Sequence, residues 1–213
     1  MAIKAVAFDI GGVLERVEPP EQFLAPWIWR LGRSVPDALG THVLHWPLTR
    51  LDPDDAAKTG AITEIQYRRL CEAALHLASS QADEFMADFW DWYCGELDDE
   101  LVSYAAGLRP RYRTGILSNS LAGARREEQA RYGFEQLTDV VIYSAEVGLA
   151  KPDPRVYQVL CSELGVEPDD LVFVDNRLPN VEAACNLGIH GILHVSTPES
   201  IKAVNTLLGR AAA

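Results

Sequence analysis

The chain opens on Ile3 to Phe8, a nearly continuous apolar run, and then turns at once through Asp9, Ile10, Gly11 and Gly12. A strand with so few polar positions reads as one covered on both faces, the situation of a strand inside a parallel sheet. Similar short runs recur at Thr114 to Leu117, Val140 to Tyr143, Leu171 to Val174 and Ile189 to Leu193. Helical stretches separate them, and that alternation predicts a doubly wound α/β fold. One helix is marked at both ends: Asp153 can cap it, Pro154 suits its first turn, and Gly165 sits where a left-handed terminal residue is wanted. Val156, Tyr157, Val159, Leu160 and Leu164 would form its inner face. Asp153 is therefore expected to cap a helix and not to act as a catalytic acid.

Residues 15 to about 105 do not fit the alternation. After the Pro19-Pro20 break they read as helices, with one period in Ile62, Ile65, Leu70, Ala73, Ala74 and Leu77 and another in Phe85, Phe89, Trp90 and Tyr93. The expected organisation is an α/β core made of 1–14 and 106–213, interrupted by a helical domain at 15–105. Trp27, Trp29, Trp46, Trp90 and Trp92 all fall inside the insertion and are expected to pack its core, with one or two left to line a pocket at the boundary.

At 213 residues, 48% of them apolar, the chain can bury a sizeable core. Its net charge of −12 argues against binding a nucleic-acid backbone, which needs a basic surface to displace counterions. A small phosphorylated metabolite is still compatible, since a local cation and a metal override the global field. Cys71, Cys94, Cys161 and Cys185 are widely spaced, with no metal-binding pattern, and read as reduced, buried structural residues. No signal peptide is recognised and no apolar run is long enough to span a bilayer, so a cytoplasmic protein without a membrane partner, monomeric or homodimeric, is expected.

In open α/β sheets ligands bind beyond the carboxyl ends of the strands. Asp9, Ser118 and Asp175 each close an apolar run, and Lys151 follows another in a loop, so the fold would bring all four to one edge. The segments that carry them are Phe8-Asp9-Ile10-Gly11-Gly12-Val13, Leu117-Ser118-Asn119-Ser120, Lys151-Pro152-Asp153-Pro154 and Val174-Asp175-Asn176. In this order they resemble the haloacid dehalogenase superfamily, over about residues 3 to 195, and the helical insertion resembles the cap domain of its phosphatase-like branch. The resemblance implies that Asp9 is a covalent nucleophile toward phosphate and that Lys151 neutralises the charge it shares with the phosphoryl group. It implies that Ser118 and the amide of Asn119 bind phosphate oxygens. It also implies Mg²⁺, held by Asp9, the carbonyl of Gly11 and Asp175. Asn180, Val181, Glu182, Ala183, Ala184 and Gly188 match the helix that follows the last motif.

Two positions depart from the pattern. Where such phosphatases usually carry a second Asp, the acid and base of the reaction, this chain has Gly11. A positioned acid or base contributes about 10²–10⁴-fold, so its loss predicts a slow enzyme that favours activated leaving groups. Glu15, Glu18, His42 and His45 are the candidates to replace it, each expected on its own to be solvated. The second departure is Asn176, which stands where relatives often carry an acid and brings no charge to a metal. The leading expectation is a Mg²⁺-dependent phosphate monoester hydrolase. Two alternatives stay open: a weakened homologue with a binding or regulatory role, and a 2-haloacid dehalogenase, against which the retained Asp175 speaks. A phosphonate hydrolase would need Lys58, the one lysine of the insertion, expected to be solvated.

Overall fold

The computed structural model describes residues 2–32 and 56–209. His42, His45 and Trp46 lie outside the described residues. In chain order the elements are β1 (Ala5–Phe8), β2 (Glu15–Arg16), α1 (Pro20–Arg30), α2 (Glu64–Leu75), α3 (Ser79–Cys94), β3 (Glu96–Leu97), α4 (Asp99–Gly107), β4 (Arg113–Ser118), α5 (Ala124–Tyr132) and α6 (Phe134–Leu137). Then follow β5 (Val140–Tyr143), α7 (Ser144–Val147), α8 (Pro154–Leu164), β6 (Leu171–Asp175), α9 (Leu178–Asn186), β7 (His190–Leu193) and α10 (Thr197–Leu207).

Five strands form a parallel sheet in the order β5-β4-β1-β6-β7, with the first strand of the chain at its centre. The doubly wound α/β architecture is therefore as the apolar runs predicted. Alternation along β1 feeds two cores: Val6 and Phe8 face one way, Ala5 and Ala7 the other. The alanine face takes α8 through Val156, Tyr157, Leu160 and Leu164. The small side chains let that helix approach closely; a Cβ added to Gly115 of β4 would meet Leu160 and Leu164 at 3.3 Å. The Phe8 face joins one apolar cluster that runs on into the helical insertion through Phe85, Phe89 and Trp90.

The cap of α8 is as read: Asp153 accepts from the Arg155 N–H and Gly165 is left-handed at φ 67°. The helix predicted around Ile62 to Leu77 exists as α2, but its face is turned. Tyr67, Cys71 and Leu75 are buried while Ile65 is 64% exposed. A capping box on Thr63 and Gln66 fixes the start of α2, and a left-handed His76 ends it, which brings Leu77 back into the core. In α3 the predicted Phe85, Phe89 and Trp90 are buried. Trp27 and Trp90 are core residues with their indole N–H groups on Asp88 and Glu64, whereas Trp29 is 70% exposed. Cys71, Cys94 and Cys161 are buried as expected; Cys185 is exposed, on the outer side of α9. The half-buried Lys58 is less solvated than its polar surroundings suggested.

Candidate active site

Three of the five strands deliver a side chain to one end of the sheet. The ladder continues past β1, with Asp9 N–H donating to the Val174 carbonyl at 2.9 Å, so Asp9 leaves the sheet beside the end of β6. Asp175 is the last residue of β6 and Ser118 the last of β4. All three are buried. Lys151 comes from the loop between α7 and α8, and its side chain is wholly buried.

The Lys151 ammonium is the hub. It lies 2.7 Å from Asp9 Oδ1, donates to Asp175 Oδ2 at 2.8 Å and donates to the Leu117 carbonyl at 2.7 Å. An ammonium has three N–H donors, so these contacts use all of them. The Asp9 contact shares Oδ1 with the Ile10 N–H, at 2.8 Å; neither involves Oδ2. Burial, reinforced by the Asp175 charge and opposed by Lys151, pushes the Asp9 carboxyl up to about 6.

Asp175 is held from every side. Arg177 N–H donates to Oδ1 at 2.8 Å, and the Asn180 side-chain amide reaches both carboxylate oxygens at 3.0 Å. Sequence reading matched Asn180 to a family helix and missed this contact; the signal available was its five-residue spacing from Asp175 at a helix start. Asn119 was also read incompletely. Its side chain accepts from Lys151 N–H and donates to the Lys151 carbonyl, both at 2.8 Å.

The turn after Asp9 is built on one carbonyl. Ile10 O accepts from the N–H groups of Val13, Leu14 and Glu15, and Gly12 N–H closes onto Glu15 O at 2.7 Å. Gly12 must be glycine: its φ is 77°, and an added Cβ would stand 2.0 Å from Asn176 Nδ2. Gly11 is different, for an added Cβ meets nothing within 4 Å. Asn176, expected near a metal-bound water, is an exposed residue whose amide packs over Gly12.

Of the candidates to replace the missing acid, Glu18 is exposed as expected. Glu15 is not; this corrects its reading as a solvated residue. It is 1% exposed, and neither carboxyl oxygen has a hydrogen-bond partner among the described residues. The turn at Ile10 draws it inward toward Glu128 of α5, itself buried and bonded by the Tyr143 hydroxyl at 2.7 Å. Burial first, then the charges of Glu128 and Asp9, push Glu15 up to about 10. Burial likewise pushes Glu128 up to about 8. Buried in this way beside Glu128, the Glu15 carboxyl is drawn in under the turn and away from solvent.

Two carboxylates and one ammonium leave a formal negative charge at the sheet edge, formed of hard oxygen donors. That set fits Mg²⁺, which is usually held by one or two carboxylates and completed by water and phosphate oxygens. Among the described residues no group of three or more His, Cys, Asp and Glu side chains is placed to form a fuller metal cage.

Comparison with known proteins finds similar chains. A phosphatase of Mycobacterium tuberculosis is 28% identical over 210 residues, which cover 91% of this chain and 88% of that protein. Mouse acyl-CoA dehydrogenase family member 10 is 35% identical over 98 residues, 46% of this chain but only 9% of the relative's length. A haloacid dehalogenase-family enzyme of Bacteroides thetaiotaomicron, solved with magnesium and inorganic phosphate, superposes with a TM-score of 0.72 at 19% identity, covering 90% of this chain and 94% of that one. No helix among the described residues is long and apolar enough to cross a membrane. The haloacid dehalogenase-like hydrolase profile matches residues 3–188, and the chain belongs to that family of hydrolases.

Proposed function

We propose that this hydrolase cleaves a small-molecule phosphate monoester through an aspartyl-phosphate on Asp9, with Mg²⁺ as cofactor. The observation that carries the reading is the Lys151 ammonium wedged between Asp9 and Asp175. An anionic nucleophile approaching an anionic phosphate needs compensating positive charge, and this is where the chain places it. Asp9, Asp175 and the Gly11 carbonyl would hold Mg²⁺, which when bound draws charge from the phosphoryl oxygens. The magnesium and phosphate bound by the Bacteroides relative support this choice.

An Asp9 carboxylate oxygen attacks phosphorus, and the bond from phosphorus to the ester oxygen breaks, its electron pair leaving with that oxygen. Water then attacks the phosphorus of the aspartyl-phosphate, which frees inorganic phosphate and returns the carboxylate. Lys151 has its three donors committed, so it acts on the phosphoryl group through its charge and by offsetting the repulsion between Asp9 and Asp175. Ser118 and the Asn119 N–H would bind the phosphate oxygens. With Gly11 in place of an acid, Glu15 buried and Glu18 exposed, no acid among the described residues is placed to protonate the leaving oxygen. Aryl and acyl phosphates should therefore turn over far faster than alkyl or sugar phosphates, by about 10²–10⁴-fold.

The test is phosphate release from aryl, acyl and sugar phosphates with Mg²⁺ or chelator, for wild type and Asp9→Asn. Metal-dependent release that the substitution abolishes is expected. Release equal to the Asp9→Asn background on every ester would overturn the reading, and equal chemistry-limited rates on aryl and alkyl esters would overturn the missing-acid account.

A further inference from the structure

The loop that carries Lys151 lies outside the sheet, yet its lysine reaches Asp9 at 2.7 Å, Asp175 at 2.8 Å and the Leu117 carbonyl at 2.7 Å. Buried backbone groups in such a loop need partners that secondary structure does not provide. At Lys151 both the N–H and the carbonyl are satisfied by a single side chain, Asn119, at 2.8 Å each. A primary amide offers a donor and an acceptor side by side, as a neighbouring strand's peptide would; Asp, Ser or Thr cannot do both in that geometry. Asn119 directly follows Ser118, and the carbonyl preceding Ser118, that of Leu117, is one of the three acceptors of the Lys151 ammonium. The end of β4 thus grips Lys151 twice, by its backbone through Asn119 and by its side-chain tip through Leu117.

We infer that the Asn119 side chain is a positioning residue: it fixes the lysine loop so that the ammonium reaches both Asp9 and Asp175, and it does not contact substrate. The role rests on the phosphatase reading for its catalytic meaning but not for its geometry. Because the amide is committed to the lysine backbone, the side chain of Asn119 contributes to phosphate binding only through Lys151. Among the described residues no group accepts from its backbone N–H, which leaves that donor for the phosphate.

Two measurements test this on the full chain. The first is calorimetric binding of inorganic phosphate, in Mg²⁺, by wild type, Asn119→Ala, Lys151→Met and the double variant. Asn119→Ala should weaken phosphate about tenfold in the wild-type background and less than about twofold when Lys151 is already gone, the non-additivity of groups acting as one unit. The second is acetylation of Lys151 by acetic anhydride, read by peptide mass spectrometry, with Lys4 and Lys202 as internal references for a folded chain. Lys151 should be protected in wild type and react several-fold faster in Asn119→Ala. Asn119→Asp, which keeps the acceptor but sets an oxygen against the Lys151 carbonyl, should move both readouts in the same direction and serves if the alanine variant misfolds. An equal loss of phosphate affinity in both backgrounds would mean that Asn119 acts on phosphate directly, and unchanged Lys151 acetylation in folded variants would mean that it positions nothing; either overturns the inference. Wild type that binds no phosphate would sink the phosphatase reading, while the acetylation contrast still decides the role of Asn119.

Discussion

At the scale of single residues, the two glycines after the proposed nucleophile show how differently one residue type is constrained. Gly12 is required by its positive φ and by the Asn176 amide against its Cα. Gly11 is required by neither; its surroundings are open and its backbone carries no left-handed strain. A carboxylate can therefore be introduced there without rebuilding the turn. Gly11→Asp is expected to fold as wild type and to raise turnover of alkyl phosphates by about 10²–10⁴-fold, with much less effect on aryl phosphates. Steady-state rates on a matched pair of esters check it, and an unchanged ratio between them would show that the leaving group is protonated from elsewhere. Asp9, Ser118, Lys151 and Asp175 were legible because each closes or follows a strand in a recognisable segment. The contacts of Asn119 and Asn180 were not, because an amide's partner depends on which loops the fold brings together and not on local pattern.

At the scale of elements, α5 is one of the helices that tie the helical insertion to the core. Arg126 of α5 forks onto both carboxylate oxygens of Glu64 in the first turn of α2, at 2.9 and 2.8 Å, and the Trp90 indole of α3 donates to the same carboxylate at 3.0 Å. Arg131, further along α5, reaches Asp91 of α3 at 2.8 Å. Exposed pairs of this kind contribute about 0–1 kcal/mol each. Arg126→Gln should accordingly lower stability by no more than about 1 kcal/mol. Glu64→Leu should cost more, about 1–3 kcal/mol, since it also leaves the partly buried Trp90 N–H without its acceptor. Urea unfolding of the two variants separates these cases; equal losses would mean that the indole contact adds nothing. The existence and span of α2 and α3 were readable from apolar periodicity. The phase of α2 was not, because an amphipathic pattern counts Ile65 as core and Cys71 as neutral, whereas packing against α3 selects Tyr67, Cys71 and Leu75.

At the scale of the whole molecule, acidity shapes stability in two opposing ways. Glu64, Asp98, Asp139 and Asp153 are held below their ordinary values by partners, led for Glu64 and Asp153 by hydrogen-bonded arginines. Their contribution is present above the unfolded carboxylate range and is lost as the pH falls through their folded values. Glu15 and Glu128 act the other way. Buried, they are raised to about 10 and about 8, so the folded chain keeps protons there that the unfolded chain releases above its ordinary glutamate value near 4.5. The stability they allow is complete below that value and declines as pH rises toward 8 and 10, with slope set by the protons retained in the fold. The net charge of −12 adds self-repulsion in the same direction. Nothing in the sequence marked this, since a glutamate after Val13-Leu14 reads as a solvated residue unless the turn on Ile10 is known to carry it inward. The expected stability maximum lies in acid, near the ordinary glutamate value of about 4.5, where both sets of groups contribute. Thermal and urea melts of wild type at pH 5.5, 7 and 8.5 should show a steady loss, and Glu15→Gln, which has no proton to retain, should flatten it and be more stable than wild type by about 1–3 kcal/mol at pH 8.5. A variant whose pH slope matches wild type would place the effect elsewhere, with Glu128→Gln the next arm. The same substitution should leave the alkyl-phosphate rate, the one that depends on a leaving-group acid, within a few-fold of wild type, because the buried Glu15 carboxyl holds its proton for the fold and not for the reaction.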